Sequence, residues 1–268
     1  MDVSKDAGPA YRVNVLERSI GVMRAFSVDQ PEMTLAELSR ATGLHRSTVL
    51  RFLSTLAHAG FVIRNEETGR YSLGYEIIAM AEVARAGTGL TDWARPVMKA
   101  MSDRLNETVV LSVRSGDDRV DLDQIVGNQP IRRVVTLGQH KPLTFGAPSL
   151  SIMSALPRDE AEAIVERLRA RTEEINPNFD YPQFWDRLEL LRQRGYHEQK
   201  TAFGPGSWSG SVGIAGPLLG RRGEVIGSLG VSVPTGRMTD ALRNDIIEAV
   251  VEGCGAIRAR VGGRSSAA

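Results

Sequence analysis

The sequence has little of what would place it outside a cell or in a membrane. Its one cysteine, Cys254, excludes an internal disulfide framework and fits a reducing cytoplasm. Cys254 stands in an apolar helical stretch and reads as a packing residue. No apolar run is long enough to span a bilayer, and Met1 to Ala10 lacks the apolar core of a secretory signal. A cytoplasmic protein with no membrane association is the expectation. Charge of one sign is lacking too: 33 Lys and Arg against 32 Asp and Glu leave +1. Any argument about a charged partner must therefore rest on where the charges sit.

Catalytic signatures are equally sparse. There is no P-loop and no G-x-G-x-x-G. Gly206-Ser-Trp-Ser-Gly210 puts tryptophan where a nucleophile elbow needs serine. The four histidines, at 45, 58, 140 and 197, are scattered, and none stands at metal-ligand spacing from a cysteine or carboxylate. Asp121 and Asp123, at period 2 on a strand, resemble an acid pair on one sheet face but read as solvent-facing or structural. Neither an enzyme nor a cofactor or metal protein is expected. The 268 residues, 42% apolar and 24% charged, suit a globular chain of one or two domains.

What is present begins with a local absence. The 25 residues from Arg40 to Arg64 hold four arginines, two histidines and no acid. An acid-free, helix-patterned segment in a balanced chain points to one surface built for a polyanion. Upstream, Leu16, Ile20, Met23 and Phe26 stand at helical spacing, and Asp29-Gln-Pro31 breaks that run. Thr34 precedes Glu37 by three, the spacing of a capping box, and opens a short helix that ends at Gly43. A third helix begins near Arg46 and stops at Gly60. On it Val49, Phe52, Leu53 and Leu56 share one face, with Ser47, Arg51, Ser54 and His58 roughly opposite and Arg46 on the flank. Two short strands, Phe61 to Arg64 and Arg70 to Leu73, flank a loop whose Gly69 suits φ > 0.

Short helix, turn, amphipathic helix and hairpin make a winged helix-turn-helix. Its recognition helix fits the major groove, where Arg46 and Arg51 can pair with guanine edges. Ser47 and Thr48 suit phosphate or base contacts near the helix N-terminus, Thr34 the start of the preceding helix, and Arg70 a phosphate or the minor groove.

Thr34-Leu-Ala-Glu-Leu38, Gly43-Leu-His-Arg-Ser-Thr-Val-Leu-Arg-Phe-Leu53, Leu56-Ala-His-Ala-Gly-Phe-Val62 and Glu67-Thr-Gly-Arg-Tyr-Ser-Leu-Gly74 carry a resemblance to the isocitrate lyase regulator (IclR) family of bacterial transcription factors. In that family the recognition helix opens with a basic residue followed by Ser-Thr-Val, as Arg46 to Val49 do. The chain differs with His45 where proline is usual and Leu50 where histidine is usual. The resemblance covers the whole chain and is strongest over the first 75 residues.

Tyr75 to Ala86 is Ala-rich and helical; the resemblance implies an interdomain and dimer helix. Beyond Leu90 a helix through Val97, Met101 and Leu105 precedes strand patterns at 108–114, 120–126 and 131–137. Amphipathic helices at 158–171 and 181–194 follow, then strands at 196–201, 212–219 and 225–233, and a last helix over 239–261. Strands interleaved with segregated helices predict an α+β domain, and the resemblance implies a GAF-like sensor. The expected organisation is a DNA-binding domain over 11–74, a linker over 75–89 and an effector domain over 90–264, an α/β multi-domain chain of the α+β kind.

Two segments of the second domain read as pocket walls. Gly146-Ala-Pro-Ser149 starts a helix whose free N–H groups make a carboxylate site. Phe203 to Ser211 is a Gly/Ser loop carrying Trp208, shaped like a lid. The resemblance adds Gly146, Ala147, Gly213 and the stretch Gly230 to Ser232 as cavity-lining, with Gln199 as a polar effector contact. The expected protein is a repressor or activator, dimeric or a dimer of dimers. Its expected partners are double-stranded operator DNA, a small organic acid such as an aromatic carboxylate, and RNA polymerase as a further candidate. The alternative is a ligand sensor acting through protein partners rather than DNA.

Overall fold

The computed structural model describes residues 13–201 and 210–263. Trp208 and the expected lid around it lie outside the described residues. The chain divides into two compact units between Gly87 and Thr88.

The first unit runs α1 (Asn14–Arg24), β1 (Glu32–Met33), α2 (Leu35–Thr42), α3 (Arg46–His58), β2 (Val62–Arg64), β3 (Tyr71–Leu73) and α4 (Glu76–Thr88), the last crossing the boundary. Its core is Val22, Phe26, Leu38, Val49 and Leu53, joined by Met33, Val62 and Tyr71. Of the apolar face expected on the first helix only Phe26 is buried, while Leu16 and Ile20 are exposed and Val22 faces inward instead. Thr34 caps α2 in a full capping box: its side chain accepts from the Glu37 N–H while the Glu37 carboxylate accepts from the Thr34 N–H. Gly43 and Gly60 both take positive φ where α2 and α3 end, a conformation that a Cβ disfavours. The sheet order is β1-β3-β2, all antiparallel. The sequence reading lacked β1, whose two residues pair with Ser72 and Tyr71 of β3.

The second unit contains α5 (Leu90–Leu105), β4 (Thr108–Ser115), β5 (Asp118–Ile125), β6 (His140–Pro142), α6 (Ala147–Ser154), α7 (Arg158–Ile175), α8 (Tyr181–Arg194), β7 (His197–Thr201), β8 (Ser211–Leu219), β9 (Val225–Pro234), a single 3-10 turn at 235–237, and α9 (Asp240–Gly263). Six strands form one antiparallel sheet in the order β6-β5-β4-β9-β8-β7. Strand alternation splits its side chains between two layers. Val109, Leu111, Leu229, Val231 and Val233 join α5 and α9 in one core. On the other side α6, α7 and α8 build a second core around Leu150, Ile152, Ile164, Phe184 and Leu188. A Cβ at Gly213 would stand 3.7 Å from Ala147 Cβ of α6, in ordinary contact, whereas one at Gly230 would meet Ala215 Cβ of its register partner on β8 at 2.9 Å. The Ser151 hydroxyl pins the layers by donating to the carbonyls of Ala147 and Ala215.

Two expectations are corrected here. Residues 131–137 are not a strand. The Gln124 side chain supplies the hydrogen bonds that a ladder would have given, donating to the Val135 carbonyl at 2.8 Å and accepting its N–H at 2.9 Å. Ile131 is left 75% exposed, as no core face does. The other correction concerns Asp121 and Asp123, which are both buried and do not share a face. A bulge between Leu111 and Ser112 pairs Ser112 with Asp121 but Leu111 with Asp123, so the extra residue reverses the alternation. Asp121 accepts from the Ser112 hydroxyl, and Asp123 accepts from Arg95 of α5.

Candidate functional site

The first candidate surface is the outer face of α3. Val49 and Leu53 are fully buried beneath it, with Phe52 and Leu56 packed against the same core. That anchoring leaves Arg46, Ser47, Arg51, Ser54 and His58 exposed. Arg46 and Arg51 have no ion-pair partner among the described residues, as a side chain waiting for phosphate or a base edge requires. His45 caps the helix; its Nδ1 lies 2.8 Å from the Ser47 hydroxyl and accepts from the Ser47 N–H.

The other two sequence candidates are engaged within the fold. The Thr34 hydroxyl donates to Glu37 at 2.9 Å, so its visible role is the cap of α2. Arg70 donates to the Glu32 carbonyl at 3.2 Å and lies 3.5 Å from the Glu37 carboxylate, which ties the hairpin to the start of α2. Arg18, absent from the sequence candidates, lines a groove on α1 together with Thr48 and Arg51 of α3. Its place on that surface depends on how α1 packs against α3, which helical periodicity alone does not give.

In the second unit a cavity of about 240 Å3 lies between the sheet and the start of α6. Gly146 (φ +88°) precedes the helix, and Pro148 sits in its first turn, where the missing proline N–H costs nothing. Of the residues expected here, Gly146, Ala147, Gln199, Gly213 and Ser232 line the cavity. Ser149 does not: it is buried on the helix, and its hydroxyl has no hydrogen-bond partner among the described residues. Val110, Val135, Phe145 and Ile175 supply the apolar walls.

The charged wall was not foreseen. Arg119, Asp121, Arg133 and Lys141 all line the cavity. Arg119 and Lys141 are register partners across β5 and β6, and Asp121 lies on the same side. Asp121 accepts from Arg119 at 2.6 Å and from Lys141 at 2.9 Å. Burial holds Arg119 below its ordinary value, with Asp121 acting against it. Burial also lowers Lys141 and Arg133, and in both Asp121 opposes the effect while Arg119 adds to it. Arg119 is 7% exposed, and its Nε has no hydrogen-bond partner among the described residues. A Cβ added at Gly146 would stand 3.9 Å from Arg119 Nη2. The buried guanidinium and the start of α6 therefore border the same space. Gln199 Oε1 is a further buried atom without a partner there. Among the described residues no cluster of His, Cys, Asp and Glu has a geometry that could hold a metal, and no helix is long and apolar enough to cross a membrane.

Comparison with known proteins covers both units. Residues 15–66 match the IclR helix-turn-helix domain, and residues 84–258 match the C-terminal domain of bacterial IclR transcriptional regulators. A relative from Mycobacterium tuberculosis, the HTH-type transcriptional regulator Rv1719, is 31% identical over 83% of this chain and 82% of its own. Among solved structures, a transcriptional regulator of this kind from Alicyclobacillus acidocaldarius superposes with a TM-score of 0.80 at 20% identity, covering 94% of this chain and all of that one. An IclR homologue from Microbacterium hydrocarbonoxydans, solved with 4-hydroxybenzoate, gives 0.74 at 18% identity over 92% of this chain and 99% of its own.

Proposed function

Because this chain belongs to the IclR family of bacterial transcriptional regulators, with a helix-turn-helix DNA-binding domain and a C-terminal effector domain, we propose that α3 reads operator DNA under the control of a small organic acid held in the cavity beside α6. Arg46 and Arg51 carry the base contacts, while Ser47, Thr48 and Arg18 hold phosphates. Arg70 and Thr34 support that surface by fixing the wing and α2. The protein acts in the cytoplasm as a dimer or dimer of dimers, which matches a near-palindromic operator whose half-sites lie one helical turn or a multiple apart. A direct contact with RNA polymerase completes the repressor or activator role. Its named relatives are transcriptional regulators, a non-enzymatic role.

One observation carries the effector reading: the orphaned Nε of buried Arg119 and the start of α6 border the same space, part of whose wall is apolar. A carboxylate there accepts from both the guanidinium and the free N–H groups of the helix. Aromatic acids fit the apolar walls, and the fold relative solved with 4-hydroxybenzoate supports that choice. The effector controls DNA binding if it prefers one conformation of the protein over another.

The test is a thermal-stability titration of the full chain with a panel of small carboxylates. A ligand present at a hundred times its Kd is expected to add about 2.7 kcal/mol of stability. No stabilisation by any carboxylate of a broad panel contradicts the assignment.

A further inference from the structure

Two buried polar atoms lining the cavity have no partner among the described residues, and they are of opposite kinds. Arg119 Nε is a donor on β5, and Gln199 Oε1 is an acceptor on β7. Within reach of each other they would pair, but β4, β9 and β8 stand between their strands. The start of α6 bridges that gap. A Cβ at Gly146 would stand 3.9 Å from Arg119 Nη2, and one at Gly213, the register partner of Gln199, would stand 3.7 Å from Ala147 Cβ. Between the two ends the floor is uncharged, with Val110, Gly230 and Ser232. A buried donor or acceptor left unpaired is costly, so one ligand that pairs both ends offsets two penalties.

The acid-binding reading above, on which this inference rests, puts a carboxylate at the Arg119 end. Charge then defines the other end. The titratable residues lining the cavity are Arg119, Asp121, Arg133 and Lys141, and none of them lies on β7, β8 or β9. Residues 202–209 contain no titratable side chain in their sequence. An ammonium beside Gln199 would be a buried charge without a counter-ion. A second ionised carboxylate has no proton to give to Oε1. A hydroxyl donates while remaining neutral.

We propose that the cavity takes a hydroxy acid: a monocarboxylate whose far end carries a neutral hydroxyl. The carboxylate accepts from Arg119 and the first N–H groups of α6, the body crosses Val110 and Gly230, and the hydroxyl donates to Gln199 Oε1.

The test is calorimetric titration of the full chain with benzoate, 4-hydroxybenzoate, 4-hydroxyphenylacetate, 4-methoxybenzoate and terephthalate at neutral pH. At least one of the two hydroxy acids is expected to bind about tenfold or more tightly than benzoate, because it pairs the buried acceptor. Methoxybenzoate and terephthalate, which have no proton to donate there, should bind no better than benzoate. Gln199→Met should abolish the preference while leaving benzoate affinity unchanged. Gln199→Glu, whose carboxylate still accepts, should keep it. A misfolded variant weakens every ligand and cannot imitate this pattern. Three results overturn the hydroxy-acid assignment and leave the organic-acid reading standing: benzoate binding as tightly as both hydroxy acids, methoxybenzoate or terephthalate matching them, or a preference that survives Gln199→Met. If none of the five acids binds, both readings fall.

Discussion

Asp121 and Asp123 are two residues apart on β5 yet face opposite sides of the sheet, Asp121 toward the cavity and Asp123 toward α5. The bulge at Leu111/Ser112 thus separates a carboxylate that organises the ligand wall from one that holds a helix in place.

That separation predicts a split between stability and binding. Arg95→Ala removes the ion-pair partner of Asp123, whose side chain is 4% exposed. Leaving a buried polar group short of a partner costs about 1–3 kcal/mol. Thermal unfolding should shift down accordingly, while affinity for cavity ligands stays within twofold. A large loss of ligand affinity in this variant would mean that the two faces are coupled.

The recognition surface should behave in the reverse way. Arg46→Ala and Arg51→Ala each remove an exposed side chain with no ion-pair partner among the described residues, so the thermal midpoint should hold. Operator affinity should fall about tenfold or more for each, since a good bidentate base contact is worth about 1–3 kcal/mol. The slope of affinity against salt should also flatten if phosphate contacts are lost. A gel-shift titration over a salt series reads both effects.

Thr34 and Arg70 should act through the fold. Thr34→Ala removes the α2 cap and should cost about 1 kcal/mol of stability, with Thr34→Ser restoring most of it. Arg70→Ala frees the hairpin from Glu32 and Glu37. It should weaken DNA binding together with a lower thermal midpoint of the first unit. Calorimetry beside the gel shift separates this pattern from a plain loss of DNA contact.

His197 sets a pH dependence. Burial, with Arg187 adding to it, pushes its imidazole down to about 4, and its Nε2 has no hydrogen-bond partner among the described residues. The unfolded chain therefore takes up a proton near pH 6.5 that the folded chain refuses until about 4. Its contribution is fully present above the unfolded value and is lost as pH falls through that window, by an amount on the order of 3 kcal/mol. Denaturant unfolding between pH 7 and 4 should show the decline, and His197→Gln should flatten it.

Much of the first unit was legible because its signals are local. Thr34 with Glu37, Gly43, Gly60 and Gly69, and the Val49–Leu53 face each report on a few neighbouring residues. β1 was not, since two residues carry no period. The 131–137 stretch misled because Ile131, Val134 and Val135 are β-branched, while its actual hydrogen-bond partner is a glutamine side chain. In the second unit Gly146 and Ala147 were found through the helix start, and Gly213 and Ser232 through family resemblance. The cationic wall was hidden for a topological reason. Arg119 and Lys141 are far apart in sequence among many basic residues, and only the antiparallel pairing of β5 with β6 brings them together.

The most direct test of the account joins both units in one titration. The full chain is titrated against fluorescently labelled DNA from upstream of its own gene, with and without a cavity-binding acid found in the thermal screen. Anisotropy should report salt-sensitive binding that Arg46→Ala with Arg51→Ala abolishes, and an affinity that the acid changes several-fold in the native chain. Binding left intact by the double substitution, or an affinity indifferent to a saturating acid, would contradict the account.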